Sequence, residues 1–252
     1  MNEKNNALEN TIAATTRMVI HELQAHLQGM LSKAEILADS VRAGKLERKE
    51  VQGQLDELIG MIRITNLSLT NFAMQWRPEK EDQKVDLDKI ARDTIELFGP
   101  LAKQKRLSIL YSNQTKTPPV VRGSVRQIQQ ALFNLMQNAI TYSYRPSETA
   151  ITNKVELTLN EEESNRYVLR ISNVGPVLEP EQIDQLFEKG FRGKAEMRER
   201  SSGTGLGLWI ARTIAREYGG DLSLQSKIVK AGSSVVTVSM SFPAKSEDPT
   251  SQ

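Results

Sequence analysis

From Ala13 to Val41 the apolar residues fall at Ile20, Leu23, Leu27, Met30, Ala34, Leu37 and Val41, in alternating steps of three and four. That heptad seam specifies a long amphipathic helix. The stretch RAGKLERKE follows, with Gly44 as a helix stop, and then Val51, Leu55, Leu58, Ile62, Thr65, Leu69, Phe72 and Trp76 repeat the same spacing. Two such helices joined by a short link form an antiparallel hairpin. A single hairpin has little to bury its seam against, whereas two copies close into a four-helix bundle, so a homodimer is expected. The alternative is a monomeric hairpin packed on the rest of the chain.

Pro78 and the charged run EKEDQK end this region, and from Val85 the pattern changes. Helix-like segments occur near Leu87–Lys103, Val125–Tyr142 and Leu206–Tyr218. Alternating β-type runs occur at Leu107–Tyr111, Val155–Leu159, Tyr167–Ser172, Leu222–Leu224 and Val235–Phe242. Several of these strands follow one another without an intervening helix, which argues against a doubly wound parallel sheet. It predicts an α+β layer, with helices on one face of the sheet. The expected division is a hairpin over 1–80, an α/β sandwich domain over 81–243, and a disordered polar tail over 244–252.

Composition narrows the chemistry. Lys plus Arg (33) nearly balances Asp plus Glu (31) over 252 residues, which removes the electrostatic case for a nucleic-acid partner. The absence of Cys excludes disulfides and thiolate metal sites. No stretch approaches the roughly 18 apolar residues that cross a bilayer, and MNEKNNALEN has no signal-peptide core. A cytoplasmic chain without membrane contact is expected.

Three segments carry candidate chemistry. In SSGTGLGLWIAR, Gly203, Gly205 and Gly207 precede an amphipathic helix, where unpaired N–H groups and the positive dipole end attract phosphate. In QQALFNLMQNAITYS, Asn134 and Asn138 share one helix face, and an amide oxygen there can serve as a hard ligand for Mg²⁺. In ISNVGPVLEPEQIDQLFEKGFRG, a strand runs into a Gly-Pro turn and then a segment bearing Phe187 and Phe191. Taken singly, a Gly-rich turn, an Asn pair and two Phe each have a structural explanation as well.

In order, these segments resemble the N, G1, F and G2 boxes of the ATP-binding domain that histidine kinases share with Hsp90, type II topoisomerases and MutL. Upstream, MVIHELQAHLQGM resembles the H box of the histidine kinase dimerisation domain. The resemblance runs from about Ile12 to Pro243. It implies a GHKL-type fold, ATP and Mg²⁺ as ligands, and His21 as the phosphoacceptor, with Glu22 beside it to hold the imidazole tautomer. Asn138 matches the Mg²⁺ ligand and Asn134 its polar partner. Asn173 and Gly175 match the pair beside the adenine, and Gly203, Gly205, Leu206 and Gly207 match the turn around the triphosphate. The segment from Arg192 to Ser202 matches the lid, whose Arg192, Lys194, Arg198 and Arg200 are placed to screen phosphate charge. The partner implied is a response-regulator receiver domain, whose Asp takes the phosphoryl group from His21.

The chain departs from that pattern in three places. The G1 Asp is Asn173, a neutral amide. The N-box cation three residues after the second Asn is Thr141, with Arg145 as the expected substitute. The H box has Ala25 and His26 in place of Thr-Pro. Ala25 also removes the polar group that orients water in the reverse, phosphatase reaction. These departures keep open a catalytically weak or inactive dimeric module that binds nucleotide or only a partner. A water-activating ATPase of the Hsp90 or MutL type is disfavoured, since Asn134 stands where those enzymes have Glu.

Overall fold

The computed structural model describes residues 20, 23–24, 27–74, 82–144, 154–192, 205–230 and 232–244. These fall into two compact units, the hairpin up to residue 74 and the domain from Asp82 onward.

In the hairpin, helix α1 (27–42) and helix α2 (Arg48–Met74) are joined by a tight turn. Gly44 takes φ +63°, and its N–H donates to Val41 O at 3.0 Å while Lys45 N donates to Ser40 O at 3.0 Å. Only glycine adopts that left-handed conformation without a Cβ penalty, so the helix stop read from sequence is where the chain turns. At the start of α2 the Glu47 N–H donates to the Glu50 carboxylate at 2.9 Å, half of a capping box. The two helices bury Met30 and Leu37 between them, and a Lys33–Glu57 ion pair bridges them. Much of the seam stays uncovered, however. Leu27, Val41, Leu55, Ile62 and Leu69 are between 42% and 56% exposed.

The second unit runs β1 (Gln83–Asp86), α3 (Leu87–Gln104), β2 (Ser108–Asn113), β3 (Val120–Gly123), α4 (Val125–Tyr142), β4 (Lys154–Glu162) and β5 (Arg166–Gly175). It continues through a single helical turn, α5 (Pro180–Ile183), a 3₁₀ turn at Gln185–Phe187, α6 (Gly207–Glu217), β6 (Asp221–Lys230) and β7 (Ser233–Pro243). The main sheet has the order β2-β4-β5-β7-β6, with β2 and β4 parallel and every other pair antiparallel. Its register stacks one apolar face: Leu159 lies opposite Leu169, Leu169 opposite Met240, and Met240 opposite Leu222, all of them buried. Helices α3, α4 and α6 cover that face with Phe98, Ile128, Leu132, Leu135 and Ile210. The other face carries Thr158, Arg170 and Ser239 in register, all half-exposed, and no described helix of this unit covers it, which makes a two-layer α+β sandwich.

The strands are longer than the sequence pattern suggested, and two were missed. β1 and β3 pair antiparallel as a separate ribbon that places Asp86 at the N-cap of α3, where its carboxylate accepts from Asp88 N and Lys89 N. His21, expected to be the phosphoacceptor, its neighbours Glu22, Ala25 and His26, and the tail from residue 245 lie outside the described residues.

Candidate nucleotide-binding site

Asn134 and Asn138 sit on successive turns of α4, the central helix of the layer. Asn134 is buried and Asn138 half-buried. They face the start of α6. A Cβ on Gly207 would lie 3.5 Å from Nδ2 and 3.7 Å from Oδ1 of Asn138, and 3.8 Å from Cβ of Asn134. Two segments some seventy residues apart in sequence thus meet at van der Waals distance. The residue before α6, Leu206, is apolar and buried and offers no side-chain cap, so the first-turn N–H groups of α6 are not satisfied by a capping oxygen from that position.

Gly205 shapes the approach to α6. Its φ is +64°, and a Cβ there would stand 2.6 Å from the Phe191 carbonyl oxygen and 2.8 Å from the Gly190 carbonyl carbon. Gly190, at φ +77°, returns an N–H to Gly205 O at 3.2 Å. The two chain segments therefore lie back to back, at a spacing that no side chain permits. Below them Phe187 is buried, with the Arg212 guanidinium 4.6 Å from its ring centroid. Arg212 Nε also donates to the Asp221 carboxylate at 3.1 Å, as does Arg216 Nε at 3.0 Å. Burial opposes ionisation of Asp221. The hydrogen bonds from Arg216, the Leu222 amide and Arg212 outweigh it and hold the carboxyl at about 2.

Asn173, on β5, is 7% exposed, and its Nδ2 is buried without a hydrogen-bond partner among the described residues. A buried, unsatisfied amide donor is costly, so this group fits a site that a ligand or water completes. Two residues on, a Cβ at Gly175 would meet the Tyr142 carbonyl oxygen at 2.8 Å and Asn173 Nδ2 at 3.2 Å. Glycine is required because the end of α4 closes directly over β5. The following turn is pinned by Ser234 Oγ, which donates to Pro176 O at 2.9 Å and accepts from Ser226 Oγ at 2.9 Å.

Of the residues singled out from sequence, Asn134, Asn138, Gly205, Leu206 and Gly207 are gathered around the α4–α6 contact, and Asn173 and Gly175 around the C-terminal end of α4. Arg192 is described, whereas Gly203, Lys194, Arg198, Arg200 and Arg145 lie outside the described residues. Lys105 escaped the sequence reading. It reaches from the loop after α3 to donate to Ile140 O at 3.0 Å and Thr141 O at 3.3 Å, and no motif announces a residue that acts thirty-five positions away.

The two-layer fold is of the GHKL type, and residues 123–245 match the family described as Histidine kinase-, DNA gyrase B-, and HSP90-like ATPase. Relatives named as sensor proteins are similar to this chain. The chain is 33% identical over 147 residues to sensor protein CutS of Streptomyces coelicolor, covering 58% of this chain and 33% of that one. It is 30% identical over 215 residues to sensor protein VanSC of Enterococcus gallinarum, covering 82% of this chain and 55% of that one. The chain therefore spans between a third and just over half the length of these relatives. Among solved structures, the catalytic domain of histidine kinase ThkA superposes with a TM-score of 0.51 at 24% identity, covering 65% of this chain and 97% of that one. Full-length ShkA in complex with AMPPNP superposes with a TM-score of 0.57 at 20% identity, covering 94% of this chain and 47% of that one. At these identities the likeness is one of fold. No described helix is long and apolar enough to cross a membrane.

Proposed function

We propose that the chain is the catalytic core of an ATP-dependent protein-histidine kinase: it transfers the γ-phosphoryl group of ATP to His21, and from there to an Asp of a response-regulator receiver domain. The observation that carries this reading is the meeting of Asn134 and Asn138 with Gly207 at the start of α6, beside an unsatisfied Asn173 donor. That arrangement offers one amide oxygen for a metal, helix N–H groups for phosphate and an amide for a base.

Among the described residues no cluster of three His, Asp or Glu side chains can hold a metal ion. Mg²⁺ would accordingly rest on Asn138 and on oxygens brought by the nucleotide, where it would neutralise charge on the phosphates. Asn134 orients Asn138, and Gly205 and Gly207 keep side chains out of the phosphate path. An imidazole nitrogen of His21 attacks the γ-phosphorus as the bond to the bridging oxygen breaks and ADP leaves, with Glu22 stabilising the charge that develops on the ring. The exposed seam residues Leu27, Ile62 and Leu69 support a homodimer built through the hairpin, with the catalytic core on the cytoplasmic side.

Thr141 and Asn173 favour a second reading, a weakly catalytic nucleotide-binding module. Incubation with γ-labelled ATP separates the readings. Acid-labile, base-stable label on the protein supports the kinase, free phosphate alone supports a hydrolytic ATPase, and neither product supports the module.

A further inference from the structure

We infer that Lys105 is a positioning residue for nucleotide binding, because its ammonium supplies the cation that the last turn of α4 lacks. The inference rests on the nucleotide-binding reading above. A helix C-terminus carries a negative partial charge from its unsatisfied carbonyls, and an anion placed near it is disfavoured. On that helix, the proposed metal ligand Asn138 is about one turn from the end. A triphosphate that arrives with Mg²⁺ still carries net negative charge, which sits beside the wrong pole of the dipole unless a further cation offsets it.

Three of the last four carbonyls of α4 accept side-chain hydrogen bonds. Ala139 O accepts from Ser143 Oγ at 2.6 Å, and Tyr142 O closes over Gly175. Ile140 O and Thr141 O both accept from Lys105 Nζ, at 3.0 Å and 3.3 Å. The last turn of α4 contains no basic residue of its own. The ammonium thus bonds the two carbonyls that bracket the position where the resemblance leads one to expect a basic side chain and the chain has Thr141. Lys105 is half-buried at the junction of α3 and β2, so its long stem is held by packing and its charge is less screened than that of a surface lysine. It acts on the nucleotide through the helix end and touches no reacting atom.

The test uses the full chain and the β,γ-imido analogue of ATP with Mg²⁺, with adenosine as the uncharged control. Lys105→Met keeps the stem and removes the charge. It should weaken the ATP analogue about two- to fivefold at low salt, the range expected for one helix-terminal charge, with a smaller loss for adenosine and a narrower difference at high salt. Adding Thr141→Lys to Lys105→Met should restore the affinity by returning a cation to the same helix end, whether or not it restores the melting temperature. Equal losses for the analogue and adenosine, or failure of Thr141→Lys to recover any triphosphate affinity, would reduce Lys105 to a structural cap and overturn the inference. Wild-type protein that binds neither ligand would overturn the nucleotide-binding reading itself, a different result from binding that Lys105→Met leaves unchanged.

Discussion

Asn173→Asp should convert a permissive base pocket into a selective one. The side chain is 7% exposed and its Nδ2 has no partner among the described residues, so its pairing is decided by whatever enters the site. An amide can turn either way, accepting from a 6-amino purine or donating to a 6-oxo purine. A carboxylate can only accept. Charge-assisted hydrogen bonds are roughly twice as strong as neutral ones, so the Asp variant should gain about 1 kcal/mol toward the adenine amine. Toward guanine it loses a donor and faces a carbonyl oxygen, a cost of about 1 kcal/mol or more. Together these shift the ATP-to-GTP affinity ratio by about 2 kcal/mol, or roughly thirtyfold. Competition of ATP and GTP against a fluorescent ATP analogue measures the ratio directly. The unliganded variant should also melt lower than wild type, because a carboxylate then replaces a neutral amide in a buried position. A ratio unchanged within twofold would show that Asn173 does not meet the base, and the placement of the purine beside β5 would be wrong.

Asn138→Ala should abolish Mg²⁺-dependent binding of ATP while circular dichroism shows α4 intact, since Ala is the better helix former. Wild-type affinity in the variant would remove the metal assignment. Gly205→Ala should cost on the order of 1–3 kcal/mol in chemical denaturation, because the new methyl meets the Phe191 carbonyl at a strained φ, and should weaken ATP binding with it. Asp221 titrates at about 2 when folded against an ordinary 3.8, so its ion pairs stabilise the fold above pH of about 4 and are lost as pH falls toward 2. Asp221→Asn should flatten that part of the stability-versus-pH curve, and an unchanged acid limb would refute the role of the Arg212–Arg216 cluster.

The parts of the molecule that were legible in the sequence are those set by local pattern. The seam of α2, the stop at Gly44 and the bounds of α4 follow from spacing and from residues whose backbone freedom is unusual, and these signals act within a turn or two. β1 and β3 were not legible because four-residue strands are too short for alternation to emerge. The site was legible as three separate segments. Their meeting was not, since the contact of Gly207 with Asn138 and the closure of Tyr142 over Gly175 depend on how α4 lies between α6 and β5. Lys105 belongs to the same class: its hydrogen bonds to the end of α4 are tertiary, and nothing around it in sequence distinguishes it from other lysines. The substitute cation expected at Arg145 lies outside the described residues, whereas Lys105 reaches that helix end from the opposite direction along the chain.

Phosphorylation of His21 is tested most directly by transfer of label from γ-labelled ATP to the wild-type chain and to its two single-histidine variants. His26 follows five residues after His21, and the heptad pattern of the sequence leads one to expect it roughly 140° further round and toward the seam, a packing position. Acid-labile, base-stable label is expected on wild type and on His26→Gln, and none on His21→Gln. Label that persists in His21→Gln and vanishes in His26→Gln, or label absent from wild type that binds Mg-ATP, would contradict it.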